Sequence, residues 1–125
     1  MNVLLDTHVV LWWFDDPNVL SEEAFNAIAE SDNLVFVSAA AAWEIAIKKA
    51  LGKLDAPDNL EEVMAEEHFL SLPITIPHAL AVAALPPVHQ DPFDRMMIVQ
   101  AKMEDLTLVT RDTSIRQYGI SVIAA

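Results

Sequence analysis

The sequence predicts an α/β fold with a parallel sheet covered by helices on both faces. Short apolar runs alternate with segments of helical period. Turn signals recur about every 10 to 20 residues, the spacing of alternating strands and helices. Several of the short runs, beginning with Val3-Leu4-Leu5, have no polar alternation and so no solvent face, which is the pattern of strands buried on both sides. At 125 residues the chain has the length of one domain, taken as 1–125, with room for a single core.

In chain order, Val3 to Leu5 reads as a strand ending at Asp6, and Val9 to Phe14 as a buried helix stopped by Asp15-Asp16-Pro17. Ser21 is a good N-cap, with Glu22 and Glu23 in the first turn of a helix expected to bury Phe25, Ile28 and Ala29. Leu34 to Val37 is a second strand. Ser38 can cap the next helix, whose stripe Trp43, Ala46, Ile47, Ala50, Leu51, Leu54 keeps the helical period, with Glu44 at its edge and Gly52 near its end. Asp58 and Glu61 resemble a capping box opening a helix to about Phe69, and Leu72 to Ile76 reads as a short strand interrupted by Pro73. His78 to Leu85 is a further helix ended by Pro86-Pro87. After the loop His89-Gln90-Asp91, Pro92 suits the first position of a helix to about Asp105. Leu106 to Thr110 is a strand, Thr113 to Tyr118 a short helix stopped by Gly119, and Ile120 to Ile123 the last strand.

Composition narrows the function. Apolar residues make up 54% of the chain and charged residues 21%, the profile of a folded protein. The absence of cysteine removes disulfides and thiolate metal sites and fits a reducing, cytoplasmic setting. The run Val9 to Phe14 is far below the roughly 20 residues of a membrane span, and neither a signal peptide nor an anchor is expected. The formal charge is -12, from 19 acidic against 7 basic residues, which is unlike a general nucleic-acid-binding module. Every Lys and Arg lies at or beyond Lys48, so a polyanion would have to approach the later segments.

In parallel sheets the binding crevice lies at the carboxyl ends of the strands. Asp6 follows the first strand directly, and Asp112 follows Leu108-Val109-Thr110 after one intervening residue, so both project from that edge. Asp94 lies in the first turn of the helix beginning near Pro92, and Glu44 about two turns into the helix after the second strand. Four carboxylates gathered together repel, by about 4 kcal/mol for one pair at 4 Å and an effective dielectric near 20, and so call for a cation. Oxygen ligands without thiolate or paired imidazole suit Mg2+, with Mn2+ as a substitute. Such an ion polarises a phosphoryl oxygen and activates water, so phosphodiester hydrolysis is the chemistry implied.

Each acid also has a plainer reading. Asp6 and Asp112 could cap the helices that follow them, and Glu44 could merely pair with Lys48 one turn later. Asp91, Pro92 and Asp94 fit the N-cap, N1 and N3 positions of one helix, the preferred role for Asp91. Arg95 beside Asp94, Arg111 beside Asp112, and Lys48 near Glu44 either meet phosphates or hold the neighbouring acids. His8, His68, His78 and His89 lack the i, i+4 pairing of a zinc helix, and Trp12, Trp13 and Trp43 read as core or interface residues.

The segments LLDTH, AAWEIAIK, HQDPFDRMMIVQA and LVTRD resemble, in order and across nearly the whole chain, the acidic motifs of PIN-domain toxins of the VapC type. The resemblance implies a PIN-like three-layer fold with a five-stranded, mainly parallel sheet flanked by helices. It implies an endoribonuclease whose metal-binding and catalytic acids are Asp6, Glu44, Asp94 and Asp112, with Thr110 as the hydroxyl before the last acid. A homodimer and a cognate antitoxin protein are further implications. Ala41 and Ala42 depart locally from the family, where Ser or Leu often precedes Trp-Glu.

Other functions fit less well. A receiver-like acidic pocket would need an Asp where the strand Leu34 to Val37 ends in Ser38, and a HAD-type phosphatase would need one where His8 stands. An interaction-only relative would have lost one of the acids, and none is missing. A structure-specific DNA nuclease shares the chemistry and is the runner-up. The unbroken apolar run Val9 to Phe14, with Trp12 and Trp13, further predicts self-association through the early helix.

Overall fold

The computed structural model describes residues 1–125 as one parallel sheet with helices on both faces. In order the elements are β1 (Asn2–Leu5), α1 (Thr7–Asp15), α2 (Glu22–Ala29), β2 (Leu34–Ser38), α3 (Ala39–Ala50), α4 (Leu60–Glu66), β3 (Leu70–Leu72), α5 (Ile76–Ala81), α6 (Pro92–Met103), β4 (Thr107–Thr110) and β5 (Val122–Ala124). The five strands stand in the order β3-β2-β1-β4-β5, and every pairing is parallel. Successive strand residues point to opposite faces. Val3, Leu4 and Leu5 are all fully buried, as are Val109 and Thr110, so both faces of the central strands are covered. Each such Leu or Val contributes about 1.5–3 kcal/mol by burial.

β1 pairs with β2 on one side and β4 on the other, with Leu4 opposite both Phe36 and Leu108. From β1 the chain winds outward through β2 to β3, then returns to place β4 against the other edge of β1. The direction of winding, and with it the strand order, therefore reverses between β1 and β4, and the crevice of such a switch point opens at the carboxyl ends. Asp6 and Asp112 stand there.

The helices depart from the sequence expectation in instructive ways. The stripe expected to bury α3 faces outward: Trp43, Ile47 and Leu51 are exposed, whereas Ala40, Ala41, Glu44 and Ile45 face the interior. Small alanines let α3 lie close to the sheet, and the helix turns so that Glu44 is held inside by polar partners. On α2, Phe25 and Ala29 are exposed and Ala24, Ala27 and Ile28 form the buried face. Asp58 forms no capping box, because its carboxylate pairs with Lys49 and the N-cap of α4 is Asn59, without a side-chain bond. Pro73 ends β3 at Leu72, and Ile76 opens α5 instead of closing a strand. The segment expected as one helix from His78 splits into α5 and a 3₁₀ turn, Val82–Ala84, while Thr113–Tyr118 is also 3₁₀ and is closed by Gly119 at φ 77°.

One buried polar network fixes α3 and α6 against the sheet. The Ser38 hydroxyl donates to Gln100 Oε1 at 2.5 Å and accepts from Ala40 N–H at 2.9 Å, while Gln100 Nε2 donates to the Pro73 carbonyl at 3.2 Å. Every buried side-chain polar atom has a partner. Satisfied networks of this kind specify one packing, because breaking any member leaves a buried group unpaired. Here the result is that Glu44 and Asp94, on α3 and α6, are brought to the edge where Asp6 stands.

Candidate metal centre

Asp6 caps α1 from the end of β1, its Oδ1 accepting from Thr7 N–H at 2.7 Å. Its other oxygen accepts from the Thr110 hydroxyl at 2.7 Å, so the end of β4 orients the acid at the end of β1. Glu44 is buried and held at both oxygens: Oε1 accepts from the Thr7 hydroxyl at 2.5 Å, and Oε2 from Lys48 Nζ at 2.6 Å. Asp94 sits in the first turn of α6, whose N-cap is Asp91, accepting from the Phe93 and Asp94 N–H groups at 2.8 and 3.0 Å. The capping roles proposed for Asp6 and Asp91 are thus present alongside their position in the crevice.

Electrostatics ties three of the acids together. Asp94 is pushed up to about 7, first by desolvation and then by the negative charges of Asp6, Asp91 and Glu44. Asp6 is also raised, by burial above all and by Glu44, against the lowering effect of its bonds from Thr110 and Thr7. Lys48 is raised, chiefly by its bond to Glu44, with Asp91 and Asp94 adding to the effect. Four carboxylates therefore share one ammonium, which is already paired, and negative charge is in surplus. That surplus, on oxygen donors alone, fits a hard divalent cation. No three of these carboxylates are gathered closely enough in this structure to form a metal-binding cluster by themselves.

Asp112 lies at the same edge but in different company. Its carboxylate caps the 3₁₀ segment through Ser114 N–H at 3.1 Å, accepts from the Ser114 hydroxyl, and takes His89 Nε2 at 2.8 Å. These bonds, Ser114's first and then His89's, hold it below the usual carboxylate range. The link to the other acids runs through Thr110, whose oxygen accepts Asp112 N–H at 3.1 Å while its proton goes to Asp6.

Neither arginine pairs with the acid beside it in sequence. Arg95 donates to the carbonyls of Val82, Leu85, Pro86 and His89, fastening the loop ahead of α6 and pairing with no acid. Arg111 donates to the carbonyls of Val19 and Ala125, and its guanidinium lies 4.1 Å above the Trp12 ring. Thr7 and His89 were missed as orienting residues. Both stand inside the acidic motifs, Thr7 in LLDTH and His89 in HQDPFDR, and that position is the signal that could have found them.

Comparison with known proteins agrees with this architecture. The family model described as "PIN domain" matches residues 3–120. Ribonuclease VapC22 of Mycobacterium tuberculosis is 34% identical over 93% of this chain and 91% of its own length. Among solved structures, VapBC2 from Rickettsia felis, bound to a DNA fragment from its promoter, superposes with a TM-score of 0.66 at 13% identity, covering 99% of this chain and 98% of that one. A toxin-antitoxin complex from Klebsiella pneumoniae does so with a TM-score of 0.62 at 19% identity, covering 98% and 96%. With the parallel order β3-β2-β1-β4-β5 and the acids at its carboxyl edge, the chain belongs to the PIN-domain family, as a member of the VapC type.

Proposed function

We propose that this protein is a Mg2+- or Mn2+-dependent endoribonuclease and the toxin of a toxin-antitoxin pair. The observation that carries the reading is the surplus of carboxylate charge at the strand reversal, where Asp94 is pushed up to about 7 by Asp6, Asp91 and Glu44 around it. The likeness to Ribonuclease VapC22 supports RNA as the polymer, and the toxin-antitoxin complexes among the structural relatives support a cognate antitoxin. Action in the cytoplasm belongs to the same proposal, and no helix is long and apolar enough to cross a membrane.

Asp6, Glu44 and Asp94 would hold the cation, with Asp112 completing the edge. When bound, the ion supplies charge for a phosphoryl oxygen and lowers the pKa of an attacking water. The protein's own residues prepare for this. Thr110 fixes the direction of Asp6, Thr7 holds one oxygen of Glu44, and Lys48 pairs with the other. A bound cation would offer positive charge to the phosphates of a polyanion that meets a chain of charge -12. The test is cleavage by the purified protein with Mn2+ of single-stranded RNA, with duplex DNA in parallel. RNA fragments absent with EDTA are expected; cutting of DNA alone would overturn the substrate and favour the DNA-nuclease alternative.

A homodimer belongs to the same proposal, with its surface relocated. The aromatic residues of α1 expected to carry it have internal partners, Trp13 against Phe25 and Phe69, Phe14 against Phe69, and Trp12 beneath Arg111. Apart from Met1, the most exposed large apolar residues lie instead on α3, at its C-cap and on α5: Trp43 at 60% exposure, Leu51 at 63%, Ile76 at 73% and Leu80 at 72%. A second copy is the expected occupant, since a self-complementary apolar patch closes on itself by two-fold symmetry. Sedimentation is expected to show a dimer at micromolar concentration that Leu51→Asp with Leu80→Asp converts to monomer. A native protein that sediments as a monomer removes this surface from the proposal.

A further inference from the structure

His89 lies in the loop between the 3₁₀ turn Val82–Ala84 and α6, and its ring is almost buried, at 11% exposure. Its position is determined from four directions. Its backbone N–H donates to the Tyr118 hydroxyl oxygen at 2.8 Å, and its carbonyl accepts from Arg95 at 3.1 Å. Its Nδ1 stands 3.2 Å from the same Tyr118 hydroxyl, and its Nε2 2.8 Å from Asp112 Oδ2. The two rings lie against one another, with centroids 5.4 Å apart. A loop that needed only to be closed would not require an imidazole here, yet His89 turns its Nε2 onto the Asp112 carboxylate.

The hydrogen-bond pattern assigns the tautomer. The Tyr118 oxygen accepts from the His89 backbone, leaving the phenol proton to be donated to Nδ1. In the neutral imidazole this arrangement leaves Nδ1 to accept from Tyr118 and puts the Nε2 proton toward Asp112 Oδ2, with Ser114 Oγ 3.4 Å from the same nitrogen. On Asp112, Oδ1 takes both bonds from Ser114, and Oδ2 takes the one from His89. A carboxylate oxygen has two acceptor sites, so a single site on Oδ2 remains open. Without the imidazole the carboxylate could rotate about its own bond, and which oxygen met a ligand would vary.

We propose that His89 is a positioning residue for the cleavage reaction, orienting the Asp112 carboxylate, and that the Tyr118 hydroxyl selects the imidazole tautomer that does so. The inference rests on the nuclease reading of this site. Groups that orient a metal-binding side chain typically change metal affinity or activity about 10- to 100-fold when removed. His89→Ala is therefore expected to raise the Mn2+ concentration for half-saturation and to lower kcat, each about tenfold or more, with the KM for RNA little changed. His89→Gln carries an amide N–H close to the place of Nε2 and is expected to recover most of the loss.

The experiment pairs Mn2+ binding by calorimetry with single-stranded RNA cleavage and a thermal melt, for the native protein and the two variants. Recovery in His89→Gln of both affinity and kcat supports the proposal, because a loop merely destabilised would not distinguish a donor at that position. His89→Ala matching the native protein in both readouts overturns it, as does His89→Gln falling as far as His89→Ala, or a native protein that binds no Mn2+. A native protein that binds Mn2+ but cuts no RNA overturns the nuclease reading alone, and the three binding isotherms then decide the role of His89.

Discussion

Asp94→Asn is expected to lower RNA cleavage by about a thousandfold or more while leaving the fold unchanged. The amide keeps the shape of the carboxyl at the start of α6, where Asp91 supplies the cap, so the helix loses little. What it removes is charge from the centre of the acid cluster, the one position on which Asp6, Asp91 and Glu44 all act. Metal-borne stabilisation of a phosphoryl transition state is worth several kcal/mol, and about 4 kcal/mol corresponds to a factor of a thousand. The measurement is single-turnover cleavage at saturating Mn2+, with circular dichroism as the control for folding. Activity within tenfold of native in a folded variant would remove Asp94 from the site and with it the proposed chemistry.

The same substitution is expected to stabilise the protein when metal is absent, and here the sign follows from the direction of the shift. The Asp94 carboxyl is raised from its ordinary 3.8 to about 7, so the fold binds its proton more tightly than the unfolded chain does. Its contribution to stability is fully present below about pH 4 and is lost as pH rises through about 7. At pH 8 the metal-free native protein therefore carries an ionised carboxyl that disfavours folding. Asp94→Asn relieves about 1 to 2 kcal/mol of that cost, after discounting for the solvent that screens a half-buried group. At pH 4 the two proteins should melt nearly together. Saturating Mn2+ reverses the order: free metal at 100 times its dissociation constant stabilises the native protein by about 2.7 kcal/mol, and the variant by less. Thermal melts at pH 4 and pH 8, with EDTA and with Mn2+, decide the matter. Equal metal-induced shifts in both proteins would mean that the acids do not act as one site.

The opposite effects of one substitution reflect how the centre is built. Asp6, Glu44 and Asp94 come from three elements, β1, α3 and α6, held by packing that has no need of their charge. The core under them is apolar and closed, and the network of Ser38, Gln100 and Pro73 fixes α3 and α6 without using any of the acids. Strain at the carboxylates is thereby sustained by the rest of the fold, which is the general condition for a site that is poised for a ligand.

Read alone, the sequence determined the order of strands and helices, the parallel sheet buried on both faces, and the placement of Asp6 and Asp112 at its carboxyl edge. Those features depend on local pattern: an apolar run without alternation is a buried strand, and the residue after it lies at the strand end. Only the tertiary structure decided which face of α3 turns inward. An apolar stripe predicts burial when nothing polar competes, but Thr7 and Lys48, distant or one turn away, satisfy Glu44 and leave Trp43, Ile47 and Leu51 outside. The partners of Arg95 and Arg111 were equally beyond reach, because a guanidinium chooses among backbone carbonyls that folding alone assembles. So was the contact between His89 and Asp112, across 23 residues of chain, since it exists only where the loop before α6 closes on the 3₁₀ segment after β4. Periodicity reports which residues are apolar along one element; the pairing of polar groups is settled between elements, by the geometry that brings their donors and acceptors within reach.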